Sequence, residues 1–116
     1  MSKVSPTAQA LARRVLLHEA GGRAELAALA EAAERADARL RGRLADLIGT
    51  TAYTTLVARA VRLAQAEVPA LEGVTATGLT TTLAHVIGLL ITFIGENLVF
   101  RLIHEAWPEL AHGQVD

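Results

Sequence analysis

The sequence predicts an all-α protein: an up-down four-helix bundle with a long, largely buried C-terminal helix. Three observations carry that expectation. Ala and Leu fill 41 of the 116 positions while aromatic residues make up 3%, a balance that suits close-packed helices and not a β-sandwich or barrel. Apolar residues recur at spacings of three and four along most of the chain, the period of an amphipathic helix. Glycines and prolines fall mainly where those periodic runs stop. At 52% hydrophobic residues and a mean hydropathy of +0.34, the chain has enough apolar surface to offset its conformational entropy, so disorder is excluded. A length of 116 residues suits one core, and residues 1–116 read as a single helical-bundle domain.

The first helix is expected over 6–20. Ser5 supplies the capping oxygen and Pro6 the preset φ of a first helical position, while Gly21 and Gly22 accept the left-handed exit. Its apolar stripe is Ala8, Leu11, Ala12 and Val15. The second helix, 23–48, places Leu26, Leu29, Ala33, Ala36, Leu40, Leu44 and Leu47 on one face. Glu31–Arg35 and Asp37–Arg41 are spaced for i,i+4 pairs opposite it. Four arginines lie between Arg35 and Arg43, and with Glu34 and Asp37 interleaved they read as a solvated face. Gly49 breaks the run.

A third helix, 51–68, turns Tyr53, Leu56, Val57, Ala60, Leu63 and Ala64 inward and stops at Pro69; residues 69–78 read as the one clear loop. The fourth helix is expected over 80–107, about 42 Å long at 1.5 Å per residue, with Gly88 or Gly95 able to bend it. At 100° per residue, one face carries His85, Thr92, Glu96, Val99, Ile103 and Trp107. The opposite face carries Leu83, Ile87, Leu90 and Ile94, followed by Asn97, Arg101 and Glu105. The first half is therefore apolar all round and must be surrounded. A membrane is a poor fit: the uncharged stretch 79–95 is short for a span, contains His85 and four threonines, and lacks anchors on its N-terminal side. The chain's own helices and a second copy of the chain remain.

Charge and composition exclude several functions. Eleven basic against twelve acidic residues give a formal charge of −1, which offers no electrostatic footprint for nucleic acid. Without cysteine there can be no disulfide, thiolate metal site or cysteine nucleophile. Met1 to Pro6 shows no basic stretch leading into an apolar one, so the chain reads as cytoplasmic. Phosphate loops, His-Glu-x-x-His and nucleophile elbows are absent, and the two serines both stand at the start. No catalytic residue, metal ligand or cofactor is therefore assigned. Helical carboxylate metal centres need paired Glu-x-x-His units, and none occurs.

Two groups of residues remain as candidates. His85, Thr92 and Glu96 could be polar anchors for a small molecule in an apolar cavity. Glu96, read as partly buried, then needs a cation or donors: Arg13, Arg14, Arg59, Arg62 or the Tyr53 hydroxyl. Leu83, Ile87, Leu90 and Ile94, with the small stripe Ala84, Gly88 and Thr92, could form the core of a twofold dimer. Trp107, just before Pro108, reads as a lid on the end of the core.

The run Leu89-Leu90-Ile91-Thr92-Phe93-Ile94-Gly95-Glu96, with Arg101-Leu102, Trp107-Pro108-Glu109 and the segment 11–22, resembles a group of small bacterial all-helical proteins. That resemblance implies a bacterial cytosolic protein and brings no activity, cofactor or site with it. The expected function is a non-enzymatic, self-associating interaction module, in signalling or scaffolding, working as a homodimer or with another protein. A small-molecule-binding bundle is the alternative.

Overall fold

The computed structural model describes residues 5–23, 25–67, 76–108 and 110. They form five helices, α1 (Pro6–Glu19), α2 (Leu26–Ile48), α3 (Thr50–Glu67), α4 (Ala76–Ile94) and α5 (Glu96–Ala106). The chain is all-helical. α1 begins as its sequence dictates, with Ser5 Oγ accepting the Ala8 amide at 3.2 Å and Pro6 at the first turn. It ends with Gly21 and Gly22 at φ 66° and 85°.

The long C-terminal helix expected over 80–107 is two helices. Gly95 stands between α4 and α5 at φ 97°, ψ 150°, a backbone region open essentially to glycine alone. Gly49 stands between α2 and α3 in nearly the same conformation, φ 89°, ψ 151°. Each joint is a single residue, and each glycine both closes the preceding helix and opens the next. Gly49 N–H donates to the Ala45 carbonyl and its own carbonyl accepts from Tyr53 N–H; Gly95 does the same with Ile91 and Val99. The loop expected over 69–78 is also shorter at its C-terminal end, because α4 already begins at Ala76. Positions 69–75 lie outside the described residues.

α2 and α4 each pack against all four other helices, whereas α1 meets neither α3 nor α5. The core takes Ala8, Leu11, Ala12, Val15 and Leu16 from α1 and Leu29, Ala32, Ala36, Leu40 and Leu44 from α2. Leu83, Ala84, Val86, Ile87 and Leu90 come from α4, and Val99, Ile103 and Ala106 from α5. Leu26 and Leu47, expected on the α2 stripe, are 43% and 48% exposed. They lie at the two ends of α2, and Ala32 is buried where Ala33 was expected to be.

Residues 83–87 and Leu90 of α4 are buried within the chain itself, while Thr92 and Phe93 near its end are exposed. Two threonines of α4 bond back along the helix: Thr82 Oγ1 donates to the Gly78 carbonyl at 2.8 Å and Thr92 Oγ1 to the Gly88 carbonyl at 3.1 Å. Among the described residues no helix is long and apolar enough to cross a membrane.

Candidate functional site

The most heavily bonded cluster grows from the two faces of α2 that flank its buried stripe. Ala36, Leu40 and Leu44 are buried, so residues one position earlier stand about 100° to one side and residues one position later about 100° to the other. Arg35, Arg39 and Arg43 occupy the first side and reach the ends of α1 and α5. Arg35 Nη2 donates to the Glu19 carbonyl at 2.6 Å, Arg39 Nη1 to the Ala106 carbonyl at 2.6 Å, and Arg43 Nη2 to the Glu105 carbonyl at 3.1 Å. The last carbonyls of a helix have no intrahelical donor and carry the negative end of its dipole, so a guanidinium is a fitting cap.

Glu19 is the centre of this cluster. Its side chain is 7% exposed, and it meets Arg35 Nε at 3.3 Å through Oε1 and Arg39 Nε at 2.9 Å through Oε2. Trp107 Nε1–H donates to the same Oε2 at 2.5 Å, and the Arg39 guanidinium lies 5.8 Å from the Trp107 ring centroid. On the other side of α2, Asp37 accepts from the Tyr53 hydroxyl at 2.8 Å and from Arg41 at 3.3 Å. Arg41 lies 5.1 Å from the Tyr53 ring centroid and also donates to Thr54. Burial first, and then the Asp37 carboxylate, hold the Tyr53 phenol well above its ordinary range; the Arg41 charge opposes them. Both clusters are complete in themselves, and their chemistry is that of helix bracing.

The arginine segment is therefore more than a solvated face. Arg35 pairs with Glu19 across helices, in place of the expected Glu31 on its own, while the Asp37–Arg41 pair forms as spaced. Trp107 is fully buried and does lid the end of the core.

The candidates read from the sequence fall in different places. His85 is 5% exposed and, with Thr92, lines a cleft of about 310 Å³ together with Ser5, Leu63, Leu89 and Ile91. Glu96 does not join them. It is exposed at the first position of α5, because the Gly95 joint turns the chain out of the register a continuous helix would keep. There it faces solvent in the first turn, where a carboxylate suits the helix dipole. Two of its proposed partners bond elsewhere: the Tyr53 hydroxyl donates to Asp37, and Arg14 donates to the Leu110 carbonyl at 3.0 Å.

Of the residues expected at a dimer interface, Leu83, Ala84, Ile87 and Leu90 are buried within the single chain, and Gly88 and Ile94 are half-buried. The exposed apolar patch inferred for these residues is absent, because α1, α2, α3 and α5 all reach α4. The large apolar side chain that does stand out is Phe93, 62% exposed near the end of α4. A second cleft, of about 330 Å³, opens between α1 and α5 beside Arg14 and His104. Among the described residues, no three His, Asp or Glu side chains gather as a metal site. No protein-family model, curated protein or solved structure matches the chain.

Proposed function

We propose that the chain is a non-enzymatic, self-associating helical interaction module, a homodimer built through the outer side of α4. The observation that carries this reading is Phe93. It is one of two phenylalanines in the chain, and its ring stands 62% exposed one helical turn from the half-buried Leu89. An exposed aromatic beside an apolar neighbour is the kind of anchor that dominates small interfaces. The occupant of this surface is a second copy. A twofold contact pairs each Phe93 with the same apolar patch on the partner, and a formal charge of −1 opposes such a contact little. In this reading α1 to α4 run up and down as the bundle, α5 folds back over one end, and the module serves signalling or scaffolding in a bacterial cytoplasm.

Sedimentation of the wild-type chain and of Phe93→Ser across a wide concentration range tests the reading. The wild type should move as a dimer at high concentration and Phe93→Ser as a monomer, with identical circular dichroism, since Phe93 contributes little to the core. A wild-type chain that stays monomeric throughout overturns it.

A further inference from the structure

α1 and α5 are neighbours whose backbones do not come close. Among the described residues, no Cα of α1 comes within 8 Å of a Cα of α5, although both helices rest on α2 and α4. The gap between them is a cleft of about 330 Å³ lined by Thr7, Ala10, Leu11 and Arg14 from α1 and Phe100 and His104 from α5. That volume lies at the lower end of the range for small-molecule sites. The lining divides into two kinds of surface. Ala10, Leu11 and Phe100 are apolar; Arg14 and His104 are a permanent cation and an imidazole, with the Thr7 hydroxyl as a further polar group.

Among the described residues, the lining of this cleft is one-sided in charge. None of the six lining residues is acidic. Arg14 donates to a neutral acceptor, the Leu110 carbonyl at 3.0 Å, and this bond uses one of five guanidinium N–H donors. This bond holds the guanidinium of a residue that lines the cleft. The arginines of α2 differ, since Arg35, Arg39, Arg41 and Arg43 each meet a carboxylate.

We infer that the α1/α5 cleft binds a small apolar monocarboxylate, with its carboxylate on Arg14 and His104 and its hydrocarbon part on Ala10, Leu11 and Phe100. A guanidinium with free N–H groups recognises a carboxylate through paired, charge-assisted hydrogen bonds. The apolar lining excludes acids without a hydrocarbon body, and the small volume excludes long chains. The site is separate from Phe93, and it places the ligand anchor on Arg14 and His104 in place of His85 and Glu96.

Titration of the full-length chain with sodium hexanoate, followed by amide chemical shifts, tests the site. Hexanoate should saturate, with the largest shifts in α1 and α5 around Ala10, Arg14, Phe100 and His104. Acetate, hexanol and hexylamine, which lack the tail, the charge or its sign, should each bind about tenfold or more weakly. Arg14→Gln should weaken hexanoate by about tenfold or more and leave hexanol unchanged. Ala10→Leu, at an exposed position on the cleft wall, should block hexanoate while the helical spectrum stays intact. Absence of saturable shifts, equal binding of hexanoate and hexylamine, or wild-type affinity in both variants overturns the assignment.

Discussion

Trp107 donates its indole Nε1–H to Glu19 Oε2 at 2.5 Å, joining the end of α5 to the end of α1 across 88 positions of sequence. The acceptor is also held by Arg39, so one buried carboxylate ties three helices together. α1 and α5, whose backbones do not come close, are thereby joined directly by this hydrogen bond, with Arg39 of α2 on the same oxygen. A carboxylate so placed is stable only with its full set of donors.

Glu19→Ala should therefore be among the more damaging polar substitutions in the chain. It leaves Trp107 Nε1–H without its acceptor and removes the counter-charge of Arg35 and Arg39. A loss of about 2–4 kcal/mol is expected, between the cost of a lost hydrogen bond to a charged group and that of a broken buried ion pair, because both arginines remain half-exposed. Urea unfolding followed by Trp107 fluorescence measures it. Glu96→Ala, at an exposed position, should cost no more than about 0.3–1 kcal/mol through the lost helix-dipole interaction. Equal effects of the two substitutions would show that the Glu19 bridge stabilises nothing.

The glycine joints predict a contrast between substitutions to the same residue. At Gly95 an added Cβ would meet no neighbour within 4 Å, yet φ is +97°. Ala there is strained by its own backbone and should cost about 1–3 kcal/mol. Gly42 also has open space and lies inside α2 with ordinary helical φ. Gly42→Ala should stabilise by about 0.4–1 kcal/mol, since it lowers the entropy of the unfolded chain. Thermal unfolding of the pair should move the midpoint in opposite directions.

Tyr53 predicts the alkaline limit of stability. Its phenol is held above its ordinary value by burial and by Asp37, so above about pH 10 the unfolded chain releases a proton that the folded chain retains. Stability conferred by the neutral phenol is then present in full below that pH and falls as pH rises beyond it. Tyr53→Phe should lose about 1 kcal/mol at neutral pH, the net worth of the Asp37 bond, and should show a shallower decline on the alkaline side. Urea midpoints measured from neutral pH to about 11 compare the two slopes. Parallel slopes would exclude Tyr53 as the source.

Much of this architecture was legible in the residues. Ser5-Pro6, Gly21-Gly22 and the stripe Ala8, Leu11, Ala12, Val15 specify α1 locally, and the structure follows them. The joint at Gly95 was not legible as a break, because Ile94-Gly95-Glu96 continues an apolar helical pattern and a single glycine inside a helix is often tolerated. Its counterpart Ile48-Gly49-Thr50 carries the same Ile-Gly pair, which was the available signal. Losing that register moved Glu96 to the surface and left His85 and Thr92 together without it.

The bracing of helix ends by Arg35, Arg39 and Arg43 had a sequence signal as well. Their spacing of four keeps each one residue ahead of Ala36, Leu40 and Leu44, at the border of the buried stripe and not opposite it. What the sequence could not show was the partner, since Glu19 and the carbonyls of Glu105 and Ala106 come from helices distant in the chain.

Leu90 separates the core from the surface in α4. It is 2% exposed and sits three residues before Phe93, about 60° round the helix from it and on the flank that α4 turns to the core. Leu90→Ala leaves a cavity and should cost about 2–5 kcal/mol, lowering the urea midpoint sharply. It should leave the association state of the folded fraction unchanged, because its side chain touches no outer surface. Phe93→Ser should do the reverse, dissociating the dimer with little effect on the stability of the monomer. The two substitutions stand one turn apart on one helix, so their separate readouts in sedimentation and in unfolding distinguish a surface contact from a fold held together by its partner. Dissociation by Leu90→Ala with its fold intact would mean that the α4 core face, and not Phe93, joins the two copies.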